Sequence, residues 1–186
     1  MAATEPHYNM AEQEKKKFYV AWYRLDGQDR YFLWWTSDVT DAAWTANDGR
    51  IPVFETESNA RIFAQQQEIS LEEEGPAPQN LDVTKRWLKD TRKPIDCEAC
   101  LVAWNFFVDA AEGTGRRFAG QRGSKRKAWR GRIYDKLFFG TSTGMLLAPP
   151  GTSAYHPTWN KDERKFIAKV LTQGMNIFCH HVYQVT

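Results

Sequence analysis

Two groups of residues have types and spacings that suit chemistry. Cys97 and Cys100 form a C-x-x-C pair, and Cys179-His180-His181 closes the last apolar-periodic segment. A redox role needs the pair at a helix start beside a strand, where a thiolate is stabilised. A zinc role needs four Cys or His ligands, and the two groups together can supply them. The simpler reading makes both cysteines small hydrophobic side chains on the apolar stripe of a helix. It is preferred because no second C-x-x-C exists and no alternating strand–helix pattern precedes the pair.

His156, beside Tyr155, has the chemistry of a general base but neither a local carboxylate nor an evident nucleophile. Gly120-Gln121-Arg122-Gly123-Ser124-Lys125 does not complete a phosphate loop. His180 and His181 suit a helix C-terminus, where the dipole favours imidazolium. No catalytic constellation emerges, so the chain reads as a binding protein without cofactor or metal.

Charge offers more. Residues 1–90 hold ten Lys/Arg and sixteen Asp/Glu; residues 91–186 hold fifteen and seven. Such a split can produce faces of opposite potential that steer a charged partner. Between Arg116 and Lys136, nine cations face Asp135 alone, with Phe118 and Trp129 interleaved. That mixture can grip a phosphate backbone and stack on bases, with Lys125, Arg126, Lys127 and Arg130 as the contacts. A solvated helix face behind a connector explains the same charges. In the acidic half, Asp26, Asp29, Asp38, Asp41 and Asp48 fall in turns, with Trp44 among them. Asp38, Asp41, Trp44 and Asp48 form the candidate contact for a basic protein, an aromatic anchor ringed by carboxylates.

The elements that must position these residues are readable in part. Phe18–Leu25 and Tyr31–Trp35 are rich in strand formers and flank Asp26-Gly27-Gln28-Asp29, so they predict an antiparallel hairpin. Thr36–Ala46 reads as loop or a short helical turn. Ile51-Pro52-Val53-Phe54 is a third strand, placed at an edge by its proline. Ser58 reads as the cap of a helix over 59–67, and Asp82 as the cap of a brief helix carrying Trp87 and Leu88. Glu72–Pro78 is an exposed acidic loop.

Asp96 caps the next helix, on which Cys97, Cys100, Leu101, Trp104, Phe107, Val108 and Ala111 recur at helical spacing. Gly113 and Gly115 end it. Asn105 and Asp109 flank this stripe and read as partners of backbone groups. Trp129, Ile133, Tyr134, Leu137 and Phe138 mark another helix, stopped by Gly140. Thr141–Pro157 is a loop. Asn160 with Glu163 makes a capping-box start for a final helix whose stripe runs from Phe166 to Val182.

Strands first and helices after predict an α+β fold. The expected architecture is a small antiparallel N-terminal sheet of about three strands, packed by a layer of about four to five helices. At this length one domain spans 1–186. It divides into a partly flexible 1–17, a hairpin plus edge strand over 18–57, and a mainly helical 58–186. No apolar run approaches the ~20 residues of a membrane span. The N-terminus lacks the order of a secretory signal, and three cysteines leave one unpaired, which together predict a reduced cytoplasmic protein.

Several of these segments resemble a known family. Ile95-Asp96-Cys97, Trp104-Asn105 and Asp109, then Ile133-Tyr134-Asp135-Lys136-Leu137-Phe138-Phe139-Gly140, then Pro157-Thr158-Trp159, resemble a pattern in immunity proteins. These proteins belong to bacterial contact-dependent growth inhibition and related polymorphic toxin systems. The resemblance covers roughly residues 80–182. It implies a cytoplasmic antidote without catalysis, whose partner is the C-terminal domain of a cognate toxin, often a nuclease. Because interfaces in such systems diversify, it assigns no binding residue.

Overall fold

A computed structural model of the chain describes residues 15–75, 77–121, 127–147, 149 and 155–185. The expected flexible N-terminal segment lies mostly outside these residues, as do Lys125 and Arg126.

The fold is α+β, with the hairpin as its seed. Strand β1 (Lys17–Leu25) pairs antiparallel with β2 (Gln28–Thr36), from Lys17 opposite Thr36 to Leu25 opposite Gln28. The turn requires left-handed backbone at Asp26 and Gly27, with φ of 55° and 71°. Asp82 holds it there, accepting from the backbone N–H of Asp26 at 2.7 Å and of Gly27 at 2.9 Å. Asp82 is therefore a turn clamp rather than the expected helix cap. Asn80 caps the following helix instead.

The segment read as loop holds a strand. β3 (Asp41–Ala43) pairs antiparallel with β2. On the far side, β5 (Gln79–Asn80) pairs in parallel with β1, giving a mixed sheet of order β3-β2-β1-β5. The edge strand β4 (Ile51–Val53) joins β6 (Val182–Gln184) in a parallel two-stranded ribbon. Phe54 links this ribbon to Tyr31 through paired backbone hydrogen bonds of 2.8 and 2.9 Å. The sheet is thus four-stranded and mixed where about three antiparallel strands were expected. Both extra pairings of β1 and β2 involve strands of two or three residues, too short to show periodicity.

Among the described residues six helices follow where about four to five were expected: α1 (Glu57–Gln66), α2 (Leu81–Lys89), α3 (Cys97–Gly113), α4 (Lys127–Phe139), α5 (Ser142–Leu146) and α6 (Lys161–His181). Thr56, not Ser58, caps α1. The short α5 lies inside the stretch read as loop. Asp96 caps α3 through a 2.9 Å bond from the N–H of Ala99. Asn160 and Glu163 close a capping box at α6.

Helix α3 is the centre of the molecule. Its predicted stripe is buried apart from half-buried Val108, but Ala103, Phe106 and Ala110 are buried as well. The helix therefore packs on two sides. Phe106 meets Tyr23 and Phe32 of the sheet, with ring centroids 6.0 and 5.6 Å apart, and Phe178 of α6 at 4.7 Å. Against α6 the approach is close: a Cβ at Gly174 would overlap the Phe107 ring. Val182, expected on the last helical stripe, instead opens β6.

Candidate functional site

Of the five aspartates expected in turns, Asp29 lies in β2 and Asp41 opens β3, and the five separate into two groups by their partners. Asp26 pairs with Lys85 at 2.5 Å, Asp29 with Arg24 at 2.8 Å, and Asp48 with Arg50 at 2.7 Å. The bond from the Arg50 backbone, and then its guanidinium, hold the Asp48 carboxyl below the usual carboxylate range. Asp38 and Asp41 make no ion pair with the described residues. Asp41 accepts a bond from the Thr36 hydroxyl, and Lys17 lies opposite Thr36 in the ladder without reaching it.

These two carboxylates flank Val39, which is 84% exposed. The turn that presents it is tightly held. The Ser37 N–H donates to the Thr40 carbonyl at 2.9 Å, and the Ser37 hydroxyl oxygen accepts from the N–H groups of Val39 (3.3 Å) and Thr40 (3.2 Å). An apolar knob between two carboxylates that form no ion pair with the described residues is thus held by the hydrogen bonds of its own turn. Sequence reading missed Val39 because its exposure depends on β3 folding back on β2.

The expected aromatic anchor lies elsewhere. Trp44 is half-buried, with its ring 5.6 Å from that of Phe63, in a small cluster with Leu33, Phe54, Ala60 and Ala64. Asp48 sits in the separate turn before β4, its partner Arg50 lying over the Tyr183 ring at 4.6 Å.

Asp109 of α3 is partly buried against β2 and accepts from the Trp34 indole N–H at 3.1 Å. Burial, reinforced by the charges of Asp41 and Glu112, pushes its carboxyl up to about 7 against the Trp34 bond. Asn105 accepts from the Tyr134 hydroxyl at 2.9 Å. Both flanking polar residues thus meet side chains of other elements, where backbone partners were expected.

Of the basic set, Lys127 begins α4, and Arg130 donates to the Gln121 carbonyl. Arg116 donates to Nε2 of His181 at 2.9 Å, and Lys136 pairs with Glu163 at 2.9 Å. Those bonds tie Arg130, one of the four expected nucleic-acid contacts, and two further cations of the basic segment into the fold. Cys97 and Cys100 are buried in the core, while Cys179 is exposed. Burial pushes the Cys100 thiol up to about 12, opposite to what a redox thiol needs. No group of three or more His, Cys, Asp or Glu among the described residues is arranged to hold a metal ion. No described helix is long and apolar enough to cross a membrane.

His156 lies at a separate cleft of about 290 Å³, bounded by Ile95, Cys97, Gly140, Trp159 and Arg164. Ile95, Cys97, Gly140, Pro157 and Trp159 of this lining fall in segments that carry the family resemblance, while His156 and Arg164 do not.

No family model matches the chain, and no curated protein matches it in sequence. Its fold is similar to the crystal structure of the SatS C-terminal domain in complex with bromine. That match has a TM-score of 0.50 and 12% identity, and covers 90% of this chain and 94% of the other. At this identity the likeness concerns the fold alone.

Proposed function

We propose that this chain is an immunity protein, which binds and neutralises a cognate toxin domain in the bacterial cytoplasm. The toxin we have in mind is a nuclease whose active site or substrate surface becomes covered. One observation carries the choice of surface: Val39 stands exposed on a hydrogen-bonded turn between Asp38 and Asp41, two carboxylates that make no ion pair with the described residues. Apolar contacts ringed by charge concentrate binding energy, and a turn already ordered loses little entropy on docking. The carboxylates favour a basic partner and speed its approach.

Co-expression with the C-terminal toxin domain encoded beside this gene tests the reading. Protection of the host and co-purification of the pair are expected. Val39→Asp should weaken the complex by roughly tenfold or more without unfolding the protein. Loss of protection against every neighbouring toxin domain would reject the reading. Salt-dependent RNA binding that disappears when Lys125, Arg126 and Lys127 are neutralised would favour a nucleic-acid module instead.

A further inference from the structure

The cleft at His156 brings together residues distant in sequence. Ile95 and Cys97 come from the start of α3, Gly140 from the end of α4, and Tyr155, His156 and Trp159 from the segment leading into α6. The floor is tight: a Cβ at Gly140 would lie 2.7 Å from the Cys97 sulfur and 2.9 Å from Cγ of Pro157. The rings of Tyr155, His156 and Trp159 stand in its walls, and the lining surface is more polar than apolar.

Arg164, in the first turns of α6, supplies the charge. Its Nη1 donates to the carbonyls of Thr91 at 3.1 Å and Lys93 at 2.8 Å. Both hydrogens of that nitrogen are thereby used, and the guanidinium plane is fixed. Nε and Nη2 make no hydrogen bond or ion pair with any described residue. That edge of a guanidinium matches the two oxygens of a carboxylate, and holding the plane lowers the cost of using it.

Neighbouring carboxylates are already engaged. Asp96 caps α3, Glu98 accepts from the Ser142 hydroxyl at 3.3 Å, and Glu163 takes Lys136 and the N–H of Asn160. The volume lies at the lower edge of small-ligand sites, ~300–1,000 Å³. It suits one aromatic ring with a carboxylate attached.

We propose that this cleft binds a small aromatic carboxylate, held in bidentate fashion by the Nε–Nη2 edge of Arg164 with its ring against Tyr155, His156 and Trp159. The proposal does not depend on toxin binding. Such a carboxylate can be a free metabolite-sized acid or the C-terminal residue of a peptide, and the probes separate the two.

The test is a titration of the full-length protein followed by two-dimensional NMR at the Trp159 indole and Arg164 Nε–H signals. Benzoate represents the free acid, N-acetyl-phenylalanine the peptide end, and N-acetyl-phenylalaninamide the same ring without charge. Saturable shifts are expected with a carboxylate, and the amide should bind about tenfold to a hundredfold more weakly. Tighter binding of N-acetyl-phenylalanine than of benzoate assigns a peptide end; the reverse assigns a free acid. Arg164→Lys keeps the charge but not the fork, and should lose a similar factor. Because Arg164 also ties Thr91 and Lys93, its melting temperature is read alongside. Tyr155→Ala and His156→Ala, at exposed positions, give a second route and should each weaken binding several-fold. Equal affinity for acid and amide overturns the proposal. So does the absence of any shift up to about 10 mM, or unaltered affinity in both exposed variants.

Discussion

The Trp34 indole N–H donates to Oδ2 of Asp109 at 3.1 Å, joining the hairpin to the central helix. The bond places a carboxyl against the sheet, where burial and the nearby charges of Asp41 and Glu112 raise its pKa to about 7. An ionised carboxylate would accept the indole bond more strongly, so that bond opposes the shift without cancelling it.

Stability should therefore depend on pH in an unusual direction for an aspartate. The folded state retains this proton to higher pH than the unfolded chain, whose aspartates titrate at ~3.9. Its contribution is complete below that value and is lost as pH rises towards about 7. Asp109→Asn keeps an oxygen for Trp34 and removes the charge. It should stabilise the protein by about 1–3 kcal/mol at pH 8, with a smaller gain at pH 5. Denaturant melts of both proteins at the two pH values check this. A difference independent of pH would refute it.

Gly174 and Gly131 should respond oppositely to alanine. At Gly174, on α6, a Cβ would overlap the Phe107 ring, and both helices are buried there. Overpacking costs about 1–3 kcal/mol, so Gly174→Ala should lower the melting temperature clearly. At Gly131, on α4, nothing lies within 4 Å. Gly131→Ala should stabilise by up to ~1 kcal/mol through helix propensity. Thermal unfolding of the pair distinguishes close helix approach from a general aversion to alanine.

How legible these features were follows from the range of the interactions. The caps at Asp96 and Asn160 involve residues within three positions, and both were readable. The stripe on α3 was readable too, but its second buried side was not, because Phe106 is buried by strands that lie far away in sequence. Strand β6 was hidden because Val182 also continues the apolar spacing of α6. What ends the helix there is pairing with β4, about 130 residues earlier in sequence. The acidic turns were visible as a set. Which aspartates form an ion pair among the described residues was not, since Lys85 reaches Asp26 from another element. The cleft at Arg164 joins three distant segments, so no local pattern could announce it.

The capping box at α6 supports a third stability prediction. The Asn160 side chain accepts from the N–H groups of Asp162 at 3.0 Å and Glu163 at 2.9 Å, while Glu163 accepts from the Asn160 N–H at 2.9 Å. Glu163 also binds Lys136, which links this helix start to α4. Asn160→Ala should cost ~1 kcal/mol, the usual value of an N-cap. Asn160→Asp should recover most of it, because aspartate caps equally well. Should the aspartate variant unfold as readily as the alanine one, the capping account fails.

The cysteines allow the metal and redox readings to be tested directly. Cys97 and Cys100 are buried, and burial raises both thiols, Cys100 to about 12. Cys179 is exposed, although its partial burial also raises its thiol. Only the thiolate reacts with an alkylating reagent, so access and ionisation both disfavour the core pair. In the native protein at pH 8, one equivalent of iodoacetamide should be taken up, at Cys179, and more slowly than by free cysteine. In denaturant all three thiols should react. Peptide mapping by mass spectrometry assigns the modified residue. Rapid native modification of Cys97 or Cys100 would mean an activated thiol pair. Protection of Cys179 with release of stoichiometric zinc on denaturation would mean that the Cys179-His180-His181 end holds a metal after all.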